Sequence, residues 1–435
     1  MFLREAKTSF CFTHRFQIPC LLTTMAEASG GGRPLPEDLI IWEILTRLPA
    51  KPVLRCRAVC RSWRRCLTSD AKFLLAHHRR QPSFPLVTTS GDQERRIDAL
   101  DHRTGERRPV ARINRTTISE DLDVLASCDG LLILIAFGGL NICNPTTRQL
   151  APLPLFNVNC ISGLYPHPPS GSYRVLCCVK TNGHAVYHVH TVGSDDLRCI
   201  GEPLEPWASG DVVEMMPMME FLQPHVLAGG RLYWHPLKLP VGGSGKVNNM
   251  LVFDTVAESF RHVLSPVEGP CIELFEINDS LGLYKYRGSS STADLWVLQD
   301  NERWVWSFKH RIKLQAMAFS LVPDTNGDMI VLSKKGKKPG LRWQYLQHIS
   351  GTDGSSLRRY EWNVFLKLKK LRFKESLVRH SFFSMEGNND GGVAEKPLFN
   401  GLSAVAVPLD DNYDPQACSE ESMLAKSFAG VSLSF

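Results

Sequence analysis

Cys128-Asp129-Gly130-Leu131-Leu132-Ile133-Leu134, followed by Leu140-Asn141-Ile142-Cys143-Asn144-Pro145-Thr146-Thr147-Arg148, sets the pattern for most of this 435-residue chain. A glycine turn launches a short apolar run, and after a gap a second run ends in an Asn-Pro-Thr turn. The same arrangement recurs in both directions. Upstream, Phe84-Pro85-Leu86-Val87 precedes Arg96 to Asp101 and a turn at Arg103 to Glu106. Downstream, Gly229 to Trp234 precedes Met250 to Thr255. Fainter copies pair Tyr173–Val179 with Ala185–Val192, Leu281–Tyr286 with Asp294–Leu298, and Asp328–Leu332 with Gln344–Ile349. Start-to-start spacing is roughly 45 to 57 residues, the size of a propeller blade. A hairpin with one apolar face cannot bury that face alone, and radial stacking covers it while leaving only short edges. Trp296, Trp304 and Trp306 supply large area for a blade interface. The expectation is an all-β, propeller-like domain over 84–385, with a β-sandwich as the competing architecture.

A different texture precedes it. Pro34-Leu35-Pro36-Glu37-Asp38 opens a helix, with proline and acids suited to its first turn. Leu39, Ile40, Ile44, Leu45 and Leu48 follow at helical spacing until Pro49. A second helix starts at Ala50-Lys51-Pro52 and carries an apolar face of Val53, Leu54, Val59, Trp63 and Leu67. Ser69-Asp70 caps a third, Ala71 to His77. Three short helices over 33–80 make a core too small to stand unaided, so a neighbour is expected to cover its apolar surface.

Leu35-Pro36-Glu37-Asp38-Leu39, Glu43 to Pro49 and Val53 to Trp63 together resemble the F-box, with both Leu-Pro turns and the Val-Cys-x-x-Trp string in order. This resemblance covers about a tenth of the chain. It implies docking on a Skp-type adaptor, and through it on a cullin, by Leu35, Pro36, Leu39, Ile44, Leu45, Leu48, Pro49, Leu54, Val59, Cys60 and Trp63. Within that set, Leu45 and Val59 are expected to pack inside the module, and Leu35, Pro36 and Trp63 to act as anchors. Cys128-Asp129-Gly130-Leu131-Leu132 with Asn144-Pro145-Thr146-Thr147 resembles the opening of the F-box-associated domain of plant F-box proteins. That likeness implies a kelch-like propeller acting as a substrate receptor in an SCF-type (Skp-cullin-F-box) ubiquitin ligase.

Composition bounds the alternatives. Apolar residues make up 43% and charged residues 22%, ordinary for a globular chain with a sizeable core. The formal charge of +6 is concentrated between Gly32 and Arg80, where eleven Lys and Arg face four acids, so an acidic partner is expected there. Arg55, Arg57, Arg61, Arg64 and Arg65 read first as a solvated helix face, and alternatively as steering for an acidic adaptor. They lack the aromatic interleaving of a nucleic-acid surface. The 13 cysteines are odd in number and scattered, several in apolar runs such as Cys56, Cys60, Cys143, Cys177 and Cys178, which suits reduced thiols in the cytoplasm or nucleus. The longest apolar run, Leu131 to Phe137, is too short to span a bilayer. Residues 1–32 read as a flexible lead. Met1 and Met25 both stand as possible starts, and Glu5 argues against a transit peptide. The tail, 386–435, reads as mostly flexible, with an apolar end from Ser427 to Phe435 that can pack back.

Catalytic signatures are weak. Val241 to Lys246 lacks the first glycine and the final Ser/Thr of a phosphate loop. His184, His188 and His190 share a face of any strand, without a further ligand at convincing spacing. Cys56, Cys60 and Cys66 invite a zinc reading, but Cys56 and Cys60 stand one helical turn apart on an apolar-flanked face, which reads as packing. Asn114-Arg115-Thr116 is a glycosylation triplet with no role inside the cell. The Met215 to Phe221 stretch reads as ordinary packing or as an adaptable binding surface. No catalytic residue, metal, cofactor, nucleic acid or membrane is expected. A propeller that binds a small ligand or glycan, and a propeller enzyme, remain as alternative functions.

Overall fold

The computed structural model describes residues 35–384 apart from 115–121, 202–224, 235–248, 315–319, 335–343 and intervals of one to four residues, together with Leu433 and Ser434. The Val241–Lys246 loop, the Met215–Phe221 stretch, the N-terminal lead and almost all of the tail lie outside the described residues, as do Arg115 and Thr116. The chain divides into two compact units between Leu45 and Thr46. No helix among the described residues is long and apolar enough to cross a membrane.

Helix α1 begins at Glu37–Leu39, widens through Ile40–Ile44 and tightens at Leu45–Arg47. It is followed by α2 (Ala50–Cys56), α3 (Arg61–Ser69) and α4 (Ala71–Arg80). The single second helix expected from the apolar spacing is therefore split. The chain turns at Arg57 to Val59, and Cys60 is extended (φ −155°, ψ 169°). The Cys60 sulfur accepts from the Trp63 N–H at 3.4 Å and caps α3, so Cys56 and Cys60 do not share a helical face. Asp70 caps α4 as expected, accepting from Lys72 N and Phe73 N, and this helix runs three residues past His77. Its inner side is Phe73, Leu74, His77 and His78, all buried.

Six antiparallel sheets follow. Blade 1 contains β1 (Ser83–Ser90), β2 (Glu94–Asp101) and β3 (Glu106–Asn114). Blade 2 holds β4 (Asp123–Cys128), β5 (Leu131–Ala136), β6 (Gly139–Asn144) and β7 (Gln149–Pro152). Blade 3 holds β8 (Cys160–His167), β9 (Ser172–Thr181), β10 (His184–Thr191) and β11 (Leu197–Gly201). Blade 4 holds β12 (Val226–Ala228), β13 (Arg231–Trp234), β14 (Asn249–Asp254) and β15 (Ser259–Leu264). Blade 5 holds β16 (Ile272–Ile277), β17 (Ser280–Arg287), β18 (Thr292–Asp300) and β19 (Val305–Lys313). Blade 6 holds β20 (Ser320–Pro323), β21 (Met329–Lys334), β22 (Gln344–Ile349) and β23 (Ser356–Trp362). The chain then returns to blade 1, where β24 (Leu366–Lys374) pairs with β1 from Ser83↔Lys374 to Thr89↔Leu366. A two-residue strand, β25 (Leu433–Ser434), joins β3 at the opposite edge.

This is a six-bladed propeller, and the β-sandwich alternative is set aside. Sandwich strands share one core between two sheets, whereas here a separate apolar cluster fills each gap between neighbouring blades. Ile97 and Phe373 meet Leu132 across blades 1 and 2. Leu131 meets Val175 across blades 2 and 3, and Tyr165 meets Phe253 across blades 3 and 4. Trp296, Trp304 and Trp306 pack on the cluster between blades 4 and 5, where the tryptophans were expected. Tyr284 and Val331 join blades 5 and 6, and Leu346 with Leu366 closes the ring from blade 6 to blade 1. The middle strands are covered on both faces, which is why β5 reads as an unbroken apolar run.

One buried and one half-buried histidine make the fold acid-sensitive. Burial holds the His225 and His380 imidazoles down to about 4, below the ordinary 6.5. Both are neutral in the folded chain, while the unfolded chain takes up protons as pH falls through 6.5, so stability drops between pH 6.5 and 4. His380 lies against the rings of Tyr173, Phe382 and Phe383. The expected outcome is a melting temperature that falls over this window in the wild type and falls less steeply in His380→Phe. Parallel pH profiles for the two proteins would contradict the assignment.

Candidate functional site

The sequence-predicted contact residues separate by burial. In the N-terminal unit, Leu35 is 63% exposed, and Pro36, Leu39 and Ile44 are also exposed, while Ile41 and Leu45 are buried. Pro36 (φ −53°, ψ 136°) caps the helix through its carbonyl, which accepts from Leu39 N and Ile40 N. The widened turn at Ile40–Ile44 shifts the helix faces relative to a regular α-helix, a feature often found at functional positions. An exposed set of large apolar side chains on a helix this short is surface available to a partner.

In the second unit, Pro49 and Cys60 are exposed, and Leu48 and Leu54 are half-buried. Two expectations are corrected here. Val59, expected inside the module, is 53% exposed, because the turn before Cys60 swings it off the helical face. Trp63, expected as an outward anchor, is only 7% exposed, because it sits in the first turn of α3 with its side chain turned inward. The interior of this part is Ala50, Val53, Trp63, Leu67, Phe73 and Leu74. Arg57 also departs from its expected solvated role. Its guanidinium donates to the Leu67 carbonyl at 2.9 Å and closes the α2–α3 turn, and burial lowers its pKa with help from the Arg379 charge. Arg55, Arg61, Arg64 and Arg65 remain on the surface.

Helices α2–α4 are joined to the propeller through the residues that follow β24. Glu375 Oε2 accepts from Ala50 N at 2.7 Å, placing a carboxylate at the start of α2, where Pro49 provides no side-chain cap. The Glu375 carbonyl accepts from His78 Nδ1 at 2.8 Å, and Lys374 Nζ donates to the Arg79 carbonyl at 3.0 Å. The other edge of His78 faces Asp129 at 3.5 Å. Asp129 also accepts from the Tyr173 hydroxyl at 2.9 Å. Burial works against its charge, but the hydrogen bonds from His78 and Tyr173 outweigh it and hold the carboxyl below its ordinary range.

The two blade-2 motifs acquire a physical role in this joint. Gly130 has φ +85°, and a Cβ there would lie 2.7 Å from the Lys374 carbonyl oxygen, so the turn admits the 374–376 backbone only as glycine. Asn144 Nδ2 donates to the Ser376 carbonyl at 3.1 Å, while its Oδ1 accepts from Thr146 N and Thr147 N. Thr146 Oγ1 accepts from Ser376 N at 3.2 Å. The Cys-Asp-Gly and Asn-Pro-Thr-Thr turns thus clamp the segment that holds the helices.

The propeller has two further features. Around the axis, Lys370 of β24 meets Glu273 of β16 at 2.7 Å, and Lys369 meets Asp123 at 2.5 Å. Burial raises the Glu273 carboxyl pKa against the pull of Lys370. Between blades 5 and 6 lies a cleft of about 430 Å³ lined by Ile277, Leu295, Lys309, His310 and Asp328 among others. None of its lining residues is Phe, Tyr or Trp, so the aromatic stacking platform expected for a glycan is missing there. His184, His188 and His190 do lie on β10 with one alternation, and His190 is buried, which lowers its pKa.

The F-box domain family model matches residues 35–75, and the model for the F-box associated beta propeller domain matches residues 88–336, more than half of the chain. This chain is an F-box protein of the F-box associated beta propeller family. Among its relatives, the Arabidopsis thaliana F-box protein At1g30790 is 24% identical over 70% of this chain and 81% of its own length. The putative F-box protein At5g62660 of the same plant is 23% identical over 62% and 75%. F-box protein At3g07870, also from Arabidopsis thaliana, is 30% identical over 35% of this chain and 39% of its own length. Among solved structures, a prolyl endopeptidase aligns over 71% of this F-box protein and 47% of that chain, at 12% identity and a TM-score of 0.36. An alignment at that level carries nothing about activity.

Removing the Glu375 carboxylate tests the joint. Glu375→Ala is expected to lose about 1.5–3 kcal/mol of stability, the range for a hydrogen bond to a charged group. It should also speed amide hydrogen exchange in α2 and α4 while leaving β13 and β17 unchanged. Unaltered exchange in both helices would show that Glu375 does not hold them.

Proposed function

We propose that this protein is the substrate-recognition subunit of an SCF-type ubiquitin ligase, in the cytoplasm or nucleus. Its F-box docks on a Skp-type adaptor, the adaptor links it to a cullin, and the propeller presents a protein for ubiquitination. The observation that carries this reading is the exposure of Leu35 and Pro36 before, and Leu39 and Ile44 on, a helix within the residues that match the F-box. Apolar anchors of this kind contribute most of the energy of an interface when they enter a partner's pocket. Exposed Val59 and Cys60 offer a second apolar edge, while Trp63 supports the module from inside.

The role requires no bond-making chemistry from this chain. It works by proximity, raising the local concentration of substrate lysines near the ubiquitin-carrying enzyme. We therefore read the protein as a non-catalytic receptor. The joint through Glu375, His78 and Asp129 suits this role, because it fixes helices α2–α4 to the propeller that presents the substrate.

Leu35→Ala combined with Pro36→Ala should weaken binding to purified adaptor by about tenfold or more, measured by pull-down or calorimetry. Both side chains are exposed, so the melting temperature should stay at the wild-type value. Failure of the well-folded wild-type protein to bind the adaptor would sink the proposal.

A further inference from the structure

We propose that His102, Asp324 and His348 form a binding site for a zinc-type divalent transition-metal ion that staples blade 6 to blade 1. His102 lies in the turn after β2, Asp324 directly follows β20, and His348 is on β22. One candidate ligand atom from each lies within 4.8 Å of the other two. His102 Nε2 stands 3.0 Å from Asp324 Oδ2, and the two imidazoles meet edge to face with centroids 4.6 Å apart. All three residues are buried, His102 to 1% exposure.

His102 supplies the second observation. Neither of its ring nitrogens has a hydrogen-bond partner, since the close approach to Asp324 lacks hydrogen-bond alignment. Buried polar atoms are almost always satisfied, and an unsatisfied one calls for an ion, a water or a functional reason. A cation between the three groups would satisfy the imidazole directly. Two imidazoles and one carboxylate are a borderline donor set that favours zinc over calcium or magnesium. Tetrahedral ligands about 2.0–2.2 Å from zinc stand roughly 3.4 Å from each other; the His102–Asp324 approach of 3.0 Å is already that close, and the spacings that reach up to 4.8 Å must close on metal binding.

The surroundings orient the donors. Arg372 donates to Asp324 Oδ1 at 3.0 Å and to the Pro323 carbonyl at 3.0 Å, leaving Oδ2 toward His102. Asp328 Oδ2 lies 3.1 Å from His348 Nε2, and carboxylates in this position fix the rotamer and raise the basicity of ligand histidines. Asp328 itself is held by Gly351 N at 2.8 Å. A metal here would cross-link the last complete blade to the first, beside the strand pairing that closes the ring.

The test uses the full-length protein after dialysis against chelator, titrated with Co²⁺ and then Zn²⁺. One equivalent of Co²⁺ should produce the visible bands of a tetrahedral nitrogen/oxygen site without thiolate charge transfer, and Zn²⁺ should erase them. The second criterion matters because the chain has 13 cysteines. His102→Gln and His348→Gln should each weaken this equivalent by more than about 100-fold, and Asp328→Asn by about 10- to 100-fold. Zn²⁺ should raise the melting temperature of the wild type and not that of His348→Gln. Absence of the cobalt bands in the wild type, bands of thiolate character only, or an equal thermal response in wild type and variant would each overturn the proposal. The cluster would then be a histidine–aspartate ion pair only.

Discussion

The pairing of β24 with β1 is the constraint on which the rest of the molecule depends. Each of the other five blades is continuous in sequence, but blade 1 takes its innermost strand from a segment more than 250 positions away from β1. Until Leu366–Lys374 returns, two of the six apolar interfaces lack a wall, because Leu371 and Phe373 face blade 2 while Leu366 and Leu368 face blade 6. Ring closure is therefore all-or-none in a way that an open stack of blades is not. Arg372 strengthens the same seam by donating to the Ser83 carbonyl and to the Asp324 carboxylate.

Closure also seats the helices. The residues directly after β24 carry Glu375, whose side chain caps α2 and whose carbonyl receives His78. The blade-2 turns at Gly130 and Asn144 grip the same backbone. Propeller completion and helix attachment thus share the 374–376 segment, so an incompletely closed propeller would also release α2–α4. For a receptor whose task is to hold one protein near another, this coupling is useful.

Much of this was legible in the sequence, for identifiable reasons. All six repeated strand pairs correspond to the second and third strands of a blade, from β1 and β2 to β21 and β22. These strands are covered on both faces and so are written as dense apolar runs. The outer strands are harder to read because they are largely exposed and break the apolar pattern, as in β11 and β23. The inner strand β24 carries a clear Leu-Lys alternation, yet its partner is remote, and no local signal assigns it to blade 1. In the helical module, apolar spacing placed Trp63 and Val59 on one helix, and the capping geometry of Cys60 reversed their exposure. The metal-ligand group was invisible because His102 is separated from Asp324 and His348 by four blades of intervening chain. Of the candidate that spacing did suggest, His188 and His190 join no metal-ligand group among the described residues.

Hydrogen exchange of the full-length protein, alone and with a stoichiometric Skp-type adaptor, tests the central claim most directly. The account predicts new protection in residues 35–60, where the exposed Leu35, Leu39, Ile44 and Val59 lie, with the propeller strands β1 to β24 unchanged. Protection confined to the blades, or no change in residues 35–60 under conditions where the two proteins co-migrate, would contradict it.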